Sequence, residues 1–105
     1  MKLLFICNQN LHRSRTAEDI FSDRHEVRSA GLYRNEVSAK QLDWADLVVV
    51  MEEEQRAEIG KRFPAQYLKK RIISLDIPDI YAYGDEKLRE VLQSKASVFS
   101  TFSQT

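Results

Sequence analysis

Three short apolar runs set the strongest constraint on this chain: Leu3-Leu4-Phe5-Ile6, Leu47-Val48-Val49-Val50-Met51 and Ile72-Ile73-Ser74-Leu75. A strand with one face in water alternates apolar and polar residues. Unalternated, partly β-branched runs of four or five need cover on both faces, the condition of strands in a parallel sheet. Glu26-Val27-Arg28-Ser29, closed by Ala30-Gly31, is a weaker fourth candidate. Helical segments lie between the runs. Ser14 to Asp23 spaces Ala17, Ile20 and Phe21 helically, with Ser14 as its expected N-cap. Glu52 to Arg62 opens on three glutamates, favourable at a helix N-terminus, and ends near Phe63-Pro64. Asp85 to about Phe99 puts Leu88, Val91, Leu92 and Phe99 on one face, with Asp85 as cap. The pattern predicts an α/β fold, a small three-layer sandwich around a four-stranded parallel sheet. At 105 residues it is expected to be a single domain, 1–105, with a polar, frayed tail from about 100 to 105.

Composition narrows the function. Sixteen basic residues cancel sixteen acidic ones, which removes the surplus positive charge a nucleic-acid binder needs and leaves room for a local anion site. The single cysteine excludes an intrachain disulfide and an all-cysteine metal site within one chain. No apolar run approaches the roughly 20 residues of a membrane helix, and the apolar stretch of MKLLFICNQN is short for a secretion signal. The expectation is a cytoplasmic protein with neither nucleic-acid nor membrane partners.

Parallel sheets bind ligands outside the carboxyl ends of their strands, which directs attention to the residues after Ile6, Ser29, Met51 and Leu75. After Ile6 comes Cys7-Asn8-Gln9-Asn10-Leu11-His12-Arg13-Ser14, and then a helix. Such a loop can wrap into a cradle whose backbone N–H groups face an oxyanion, with the helix N-terminus behind it. The same positive field favours a thiolate at its base. An arginine closing the loop can grip two oxygens in a bidentate fork, and a serine hydroxyl can donate to the sulfur. Nucleophile and phosphate receptor then share one loop. The plainer alternative is that Cys7 is simply a buried strand-end residue, the usual fate of a free cysteine. The polar positions Asn8, Gln9, Asn10 and His12 beside a core strand weigh against that.

A second constellation, Asp76-Ile77-Pro78-Asp79-Ile80-Tyr81-Ala82-Tyr83-Gly84-Asp85, follows the last strand and falls on the same sheet edge. A carboxylic acid presented there can protonate a departing oxygen, with Pro78 stiffening the approach and tyrosines lining a wall for an aromatic substrate. A surface turn in which Asp76 or Asp79 caps or solvates is the alternative.

These residues resemble the low-molecular-weight protein tyrosine phosphatases. LLFICNQNLHRSRTAE is similar to their opening strand, C-x5-R-S loop and helix; Ser29-Ala30-Gly31, Ala45 to Met51, and Ile77-Pro78-Asp79-Ile80-Tyr81 through Gly84-Asp85 resemble later motifs in the same order. The resemblance implies a metal-free, cofactor-free phosphatase acting on phosphotyrosine or similar aryl phosphates. Cys7 would form a phosphocysteine. Arg13, with the backbone of Asn8, Gln9, Asn10, Leu11 and His12, would hold phosphate- or sulfate-like oxyanions. Asn10 would shape the loop, Ser14 would support the thiolate, and Asp79 would be the general acid, ahead of Asp76.

The chain departs from that pattern at four places. Gln9 stands where glycine is usual, which predicts a distorted loop or an extra side-chain contact. His12 replaces a second loop cysteine, and Ile80 replaces a proline. The Leu32–Ala45 connection is much shorter, with room for a stub of helix containing Leu42 and Trp44; Trp44 either replaces the missing substrate wall or joins the core. Two rival functions remain. One is an oxyanion-binding regulatory module without turnover. The other is an arsenate reductase, which needs further cysteines and would here depend on an external thiol. His25, without ligand partners at metal-site spacing, reads as a surface residue.

Overall fold

Burial on both faces decides the sheet. The structure, a computed structural model, describes residues 1–102, with side chains as far as residue 99. Four parallel strands, β1 (Lys2–Cys7), β2 (Glu26–Gly31), β3 (Leu47–Val50) and β4 (Ile72–Ser74), lie in the order β2-β1-β3-β4. β1 and β3, the central pair, are the two most apolar runs, and both are fully buried apart from Lys2 at the end of β1. Edge strand β4 is only half-buried. The fourth, weaker candidate is the other edge, β2, which pairs along its whole length with β1 from Lys2↔Glu26 to Cys7↔Gly31.

Alternate residues feed two cores. Leu3, Phe5, Cys7, Leu47, Val49 and Met51 face helix α1 (Arg13–Phe21), helix α5 (Glu86–Ser94) and helix α6 (Ser97–Phe102), through Ala17, Phe21, Leu88, Leu92 and Phe99. Leu4, Ile6, Val48 and Val50 face α2 (Ala39–Trp44) and α3 (Glu53–Arg62), through Leu42 and Ile59. Each such buried aliphatic side chain contributes roughly 1.5–3 kcal/mol. Phe5, Phe21 and Phe99 pack ring on ring at centroid distances of 5.1–5.9 Å, fixing α1 against the first core.

The helices depart from expectation in three respects. Ser14 does not cap α1: His12 holds the N-cap position, and Ser14 lies inside the helix with its hydroxyl turned to Cys7. A further helix, α4 (Pro64–Lys69), follows α3; Pro64 sits in its first turn, where a missing N–H costs nothing. The long last helix divides at Lys95, so Phe99 belongs to α6 rather than to the face of α5. Of the tail expected to fray, 100–102 lie in α6, while 103–105 fall outside the described residues. Among the described residues, no helix is long and apolar enough to cross a membrane.

The chain leaves β1 toward β2 and then returns to β3 on β1's other side. Connections therefore diverge between the carboxyl ends of β1 and β3, where a doubly wound sheet opens its crevice.

Candidate active site

Cys7 ends β1 in that crevice. It lines an open pocket of about 370 Å³ together with Gln9, Leu11, His12, Arg13 and Asp79. The sequence-derived set is thus brought together, with Asn8, Asn10 and Ser14 standing behind the pocket wall. Among the described residues, none of the amides of 8–12 donates to another backbone carbonyl, the condition for a cradle of inward N–H groups.

The loop's shape comes from long-range ties. Asn10 adopts a left-handed φ of 52°, which asparagine tolerates better than most residues. Its Nδ2 donates to Ser14 Oγ at 2.8 Å, and its Oδ1 accepts from Asn35 Nδ2 at 2.7 Å. Ser14 Oγ lies 3.0 Å from Cys7 Sγ. Because Ser14 already accepts from Asn10, its own hydrogen is available to the sulfur. The result is a directed relay, Asn35 to Asn10 to Ser14 to Cys7. Asn8 is fixed separately: its Oδ1 accepts from Gln55 Nε2 at 3.1 Å, and buried Gln55 in turn accepts from the amides of Met51 and Glu52. Gly31 makes room for the loop. A Cβ there would stand 2.9 Å from the Asn8 carbonyl oxygen and 3.1 Å from the Asn10 nitrogen.

Arg13 is 1 % exposed, and a buried guanidinium requires partners. Its Nη1 donates to Glu52 Oε1 at 2.5 Å and to the Ile77 carbonyl at 2.8 Å. Those two bonds use both Nη1 hydrogens and leave Nε–H and the Nη2 hydrogens for an oxyanion. Asp79 is exposed, with Oδ1 3.8 Å from Arg13 Nε. Asp76, by contrast, turns back to the sheet: its φ is 55°, and its Oδ1 accepts from Ser74 Oγ at 3.1 Å. Of the two carboxylates, Asp79 alone lines the pocket with Cys7.

The loop bearing Asp79 is fastened at both ends. At one end the Ile77 amide donates to the Met51 carbonyl at 2.8 Å, and its side chain is buried. At the other end the amides of Tyr83 and Gly84 bond to His12 Nδ1 and Thr16 Oγ1, both at 3.0 Å. The Tyr83 phenol donates to Asp19, which raises its pKa above the ordinary tyrosine value, with burial and the Asp19 charge adding to that and Arg15 opposing it.

Three sequence expectations resolve here. Gln9 does not carry the loop's positive φ, which falls on Asn10, so its side chain is exposed without backbone strain. Trp44 does not line the pocket: it lies half-buried beneath Arg28, at 4.2 Å, with Lys2, at the opposite end of β1 from Cys7, 6.0 Å from its ring. Asn35, Glu52 and Gln55 are site residues the sequence reasoning missed. A signal existed for the latter two, which immediately follow β3 on the edge where ligands bind.

No family model matches the chain, and no curated protein matches it. Solved structures do. A low-molecular-weight phosphotyrosine phosphatase from Vibrio cholerae O395 superposes with a TM-score of 0.78 at 17 % identity, over 99 % of this chain and 97 % of that one. The YwlE arginine phosphatase from Geobacillus stearothermophilus gives 0.73 at 20 % identity, covering 95 % and 93 %. The tyrosine phosphatase Wzb from Escherichia coli K30, in complex with phosphate, gives 0.71 at 18 % identity, covering 95 % and 96 %. The chain has the fold of the low-molecular-weight phosphatases, an α/β sandwich on a four-stranded parallel sheet.

Proposed function

We propose that this protein is a metal-independent cysteine phosphatase for phosphotyrosine or similar aryl phosphates. The observation that carries the reading is the shared pocket of Cys7, Arg13 and Asp79, with the Ser14 hydroxyl 3.0 Å from the sulfur. The loop amides and the free edge of Arg13 hold the phosphoryl oxygens. The Cys7 thiolate attacks phosphorus, the S–P bond forms, and the P–O bond to the aryl group breaks as Asp79 gives that oxygen its proton. Asp79, now a carboxylate, takes a proton from water attacking the phosphocysteine; the S–P bond breaks and Ser14 donates to the departing sulfur. Leu11, 37 % exposed, and Ile80, 75 % exposed, present apolar surface beside the acid loop, which suits an aromatic ring. Neighbours of this fold include both tyrosine and arginine phosphatases, so phosphoarginine is the informative competing substrate. A lone catalytic thiol fits a reducing compartment, and residues 1–105 are read as one catalytic domain of the cytoplasm.

The test is hydrolysis of p-nitrophenyl phosphate, phosphotyrosine and phosphoarginine with EDTA present, by wild type and Cys7→Ser. Activity that survives EDTA and vanishes in Cys7→Ser supports the reading, with phosphotyrosine preferred over phosphoarginine. An inactive wild type whose melting temperature still rises with vanadate would instead make it an oxyanion-binding module. Arsenate reduction dependent on an added thiol would favour the reductase.

A further inference from the structure

We propose that His12 is the positioning residue of the acid loop, acting through the Tyr83 amide. This rests on the phosphatase reading and extends it to a side chain to which that reading assigns no part. His12 belongs to the cradle, lies between Leu11 and Arg13, and lines the pocket. Its Nδ1 accepts from the Tyr83 amide at 3.0 Å across 71 residues of sequence. An acceptor at Nδ1 fixes the ring's proton on Nε2. Four residues on, Thr16 repeats the contact: its hydroxyl donates to the His12 carbonyl at 2.7 Å and accepts from the Gly84 amide at 3.0 Å. Three residues further, Asp19 accepts from the Tyr83 phenol. His12, Thr16 and Asp19 thus share one face of the first turns of α1, and residues 83–84 dock along it.

The span from Ile77 to Tyr83 therefore has one post in the sheet and one on the cradle's own helix. Asp79 sits between the posts and is itself exposed, with Arg13 3.8 Å away as its ion-pair partner. An exposed acid on a short arch takes its position from the arch's ends. The nucleophile loop holds both ends of the arch, through Arg13 Nη1 on the Ile77 carbonyl at 2.8 Å and through His12 Nδ1 on the Tyr83 amide; the His12 post fixes the far end, and with it the acid's distance from the leaving group.

A merely structural histidine and a positioning histidine differ in which substrates suffer. Phosphotyrosine has a poor leaving group and needs the acid; 2,4-dinitrophenyl phosphate does not. His12→Leu removes the acceptor. Its kcat on phosphotyrosine is expected to fall about 10- to 100-fold, a large part of a general acid's ~10²–10⁴-fold contribution, with KM unchanged. On dinitrophenyl phosphate it should stay within about threefold of wild type. His12→Asn, whose Oδ1 can stand near the place of Nδ1, should recover most of the loss. Hydrogen exchange at the Tyr83 amide, read independently of turnover, should accelerate in His12→Leu and return toward wild type in His12→Asn. Equal losses on both esters, no loss on either, an Asn variant no better than Leu, or unchanged exchange at Tyr83 would each overturn the proposal. A wild type inactive on both esters would sink the phosphatase reading itself, and the exchange result alone would then decide whether the clasp exists.

Discussion

A single methyl group at Gly31 should be felt at the sulfur of Cys7. In Gly31→Ala the new Cβ would lie 2.2 Å from the Arg34 carbonyl oxygen, 2.9 Å from that of Asn8 and 3.1 Å from the Asn10 nitrogen. Carbon and oxygen settle at about 3.3 Å or more, so the Arg34 carbonyl must retreat by about 1 Å. All three obstacles are backbone, and no side chain can swing aside. Gly31 does not have a positive φ, so the penalty is purely steric. The displaced carbonyl belongs to a turn closed by Gly31 N–H to the Asn35 carbonyl, 3.0 Å, and by Val37 N–H to the Gly31 carbonyl, 2.9 Å. Moving it moves Asn35, the first member of the relay to Cys7. Overpacking of this kind costs about 1–3 kcal/mol, which at about 4–8 °C per kcal/mol lowers Tm by about 4–24 °C. Thermal unfolding with and without vanadate separates fold from site. An oxyanion at 100 times its Kd stabilises by about 2.7 kcal/mol, and the variant should show a smaller vanadate-induced rise than wild type. A Gly31→Ala protein with wild-type Tm and the wild-type rise would refute the reasoning.

Asp79→Asn should lower kcat on phosphotyrosine by about 10²–10⁴-fold, whereas Asp76→Asn should remain within a few-fold; equal losses would mean that pocket lining does not identify the acid. Asn35→Ala leaves the buried Asn10 without its donor, so steady-state kinetics should show a roughly tenfold loss in kcat and urea unfolding a loss of about 1–3 kcal/mol. His25 has an orphaned Nδ1 and packs edge-on against Phe99; burial first, then the amino terminus and Arg24, hold its pKa below the ordinary 6.5, against the opposing charge of Asp23. The unfolded chain then binds the proton more tightly than the folded one. Stability from this group is full above about pH 6.5 and is lost as pH falls toward the lowered value. Between pH 7.5 and 5.5 the Tm of His25→Gln should therefore fall less than that of wild type.

The parts of the molecule that were legible in its sequence are those whose physics is local or forbids polar residues. The runs at 3–6 and 47–51 had to be central strands, because burial on both faces leaves no place for a charge, and β1 and β3 are just that. Cys7, Arg13 and Ser14 were legible as a loop between a strand and a helix, and Asp79 from its place on the same sheet edge. The division of the last helix at Lys95 was not, since neither glycine nor proline marks it and the break serves the packing of Phe99 against Phe5 and Phe21. Ser14 was legible in one of its two expected parts: its hydroxyl does lie 3.0 Å from the sulfur, but the N-cap position that a serine opening a helix suggests is held by His12. Asn35, Glu52 and Gln55 act across 25, 39 and 47 residues of sequence; the place of Glu52 and Gln55 just past β3 hinted at the site, but over such distances spacing names no partner.

That distribution explains how so short a connection between β2 and β3 can sustain the cradle. The turn from Gly31 to Val37 supplies the bonds the loop requires: the Leu32 amide donates to the Cys7 and Asn8 carbonyls, the Tyr33 amide to Asn8, and Asn35 to the Asn10 side chain. Past this turn, α2 serves the opposite core through Leu42, with Trp44 held beneath Arg28 away from the pocket. Most groups that tie down the nucleophile loop thus come from the first strand and helix, this seven-residue turn, or the residues just past β3; the acid loop adds the Ile77 carbonyl on Arg13 and the Tyr83 amide on His12. The remainder of the connection packs on the second core, through Leu42 and Ala45. The bonds from this connection that fix Asn8 and Asn10 beside the sulfur come from the turn and not from α2, so on the phosphatase reading a change in α2 reaches the cradle only through the packing of the second core.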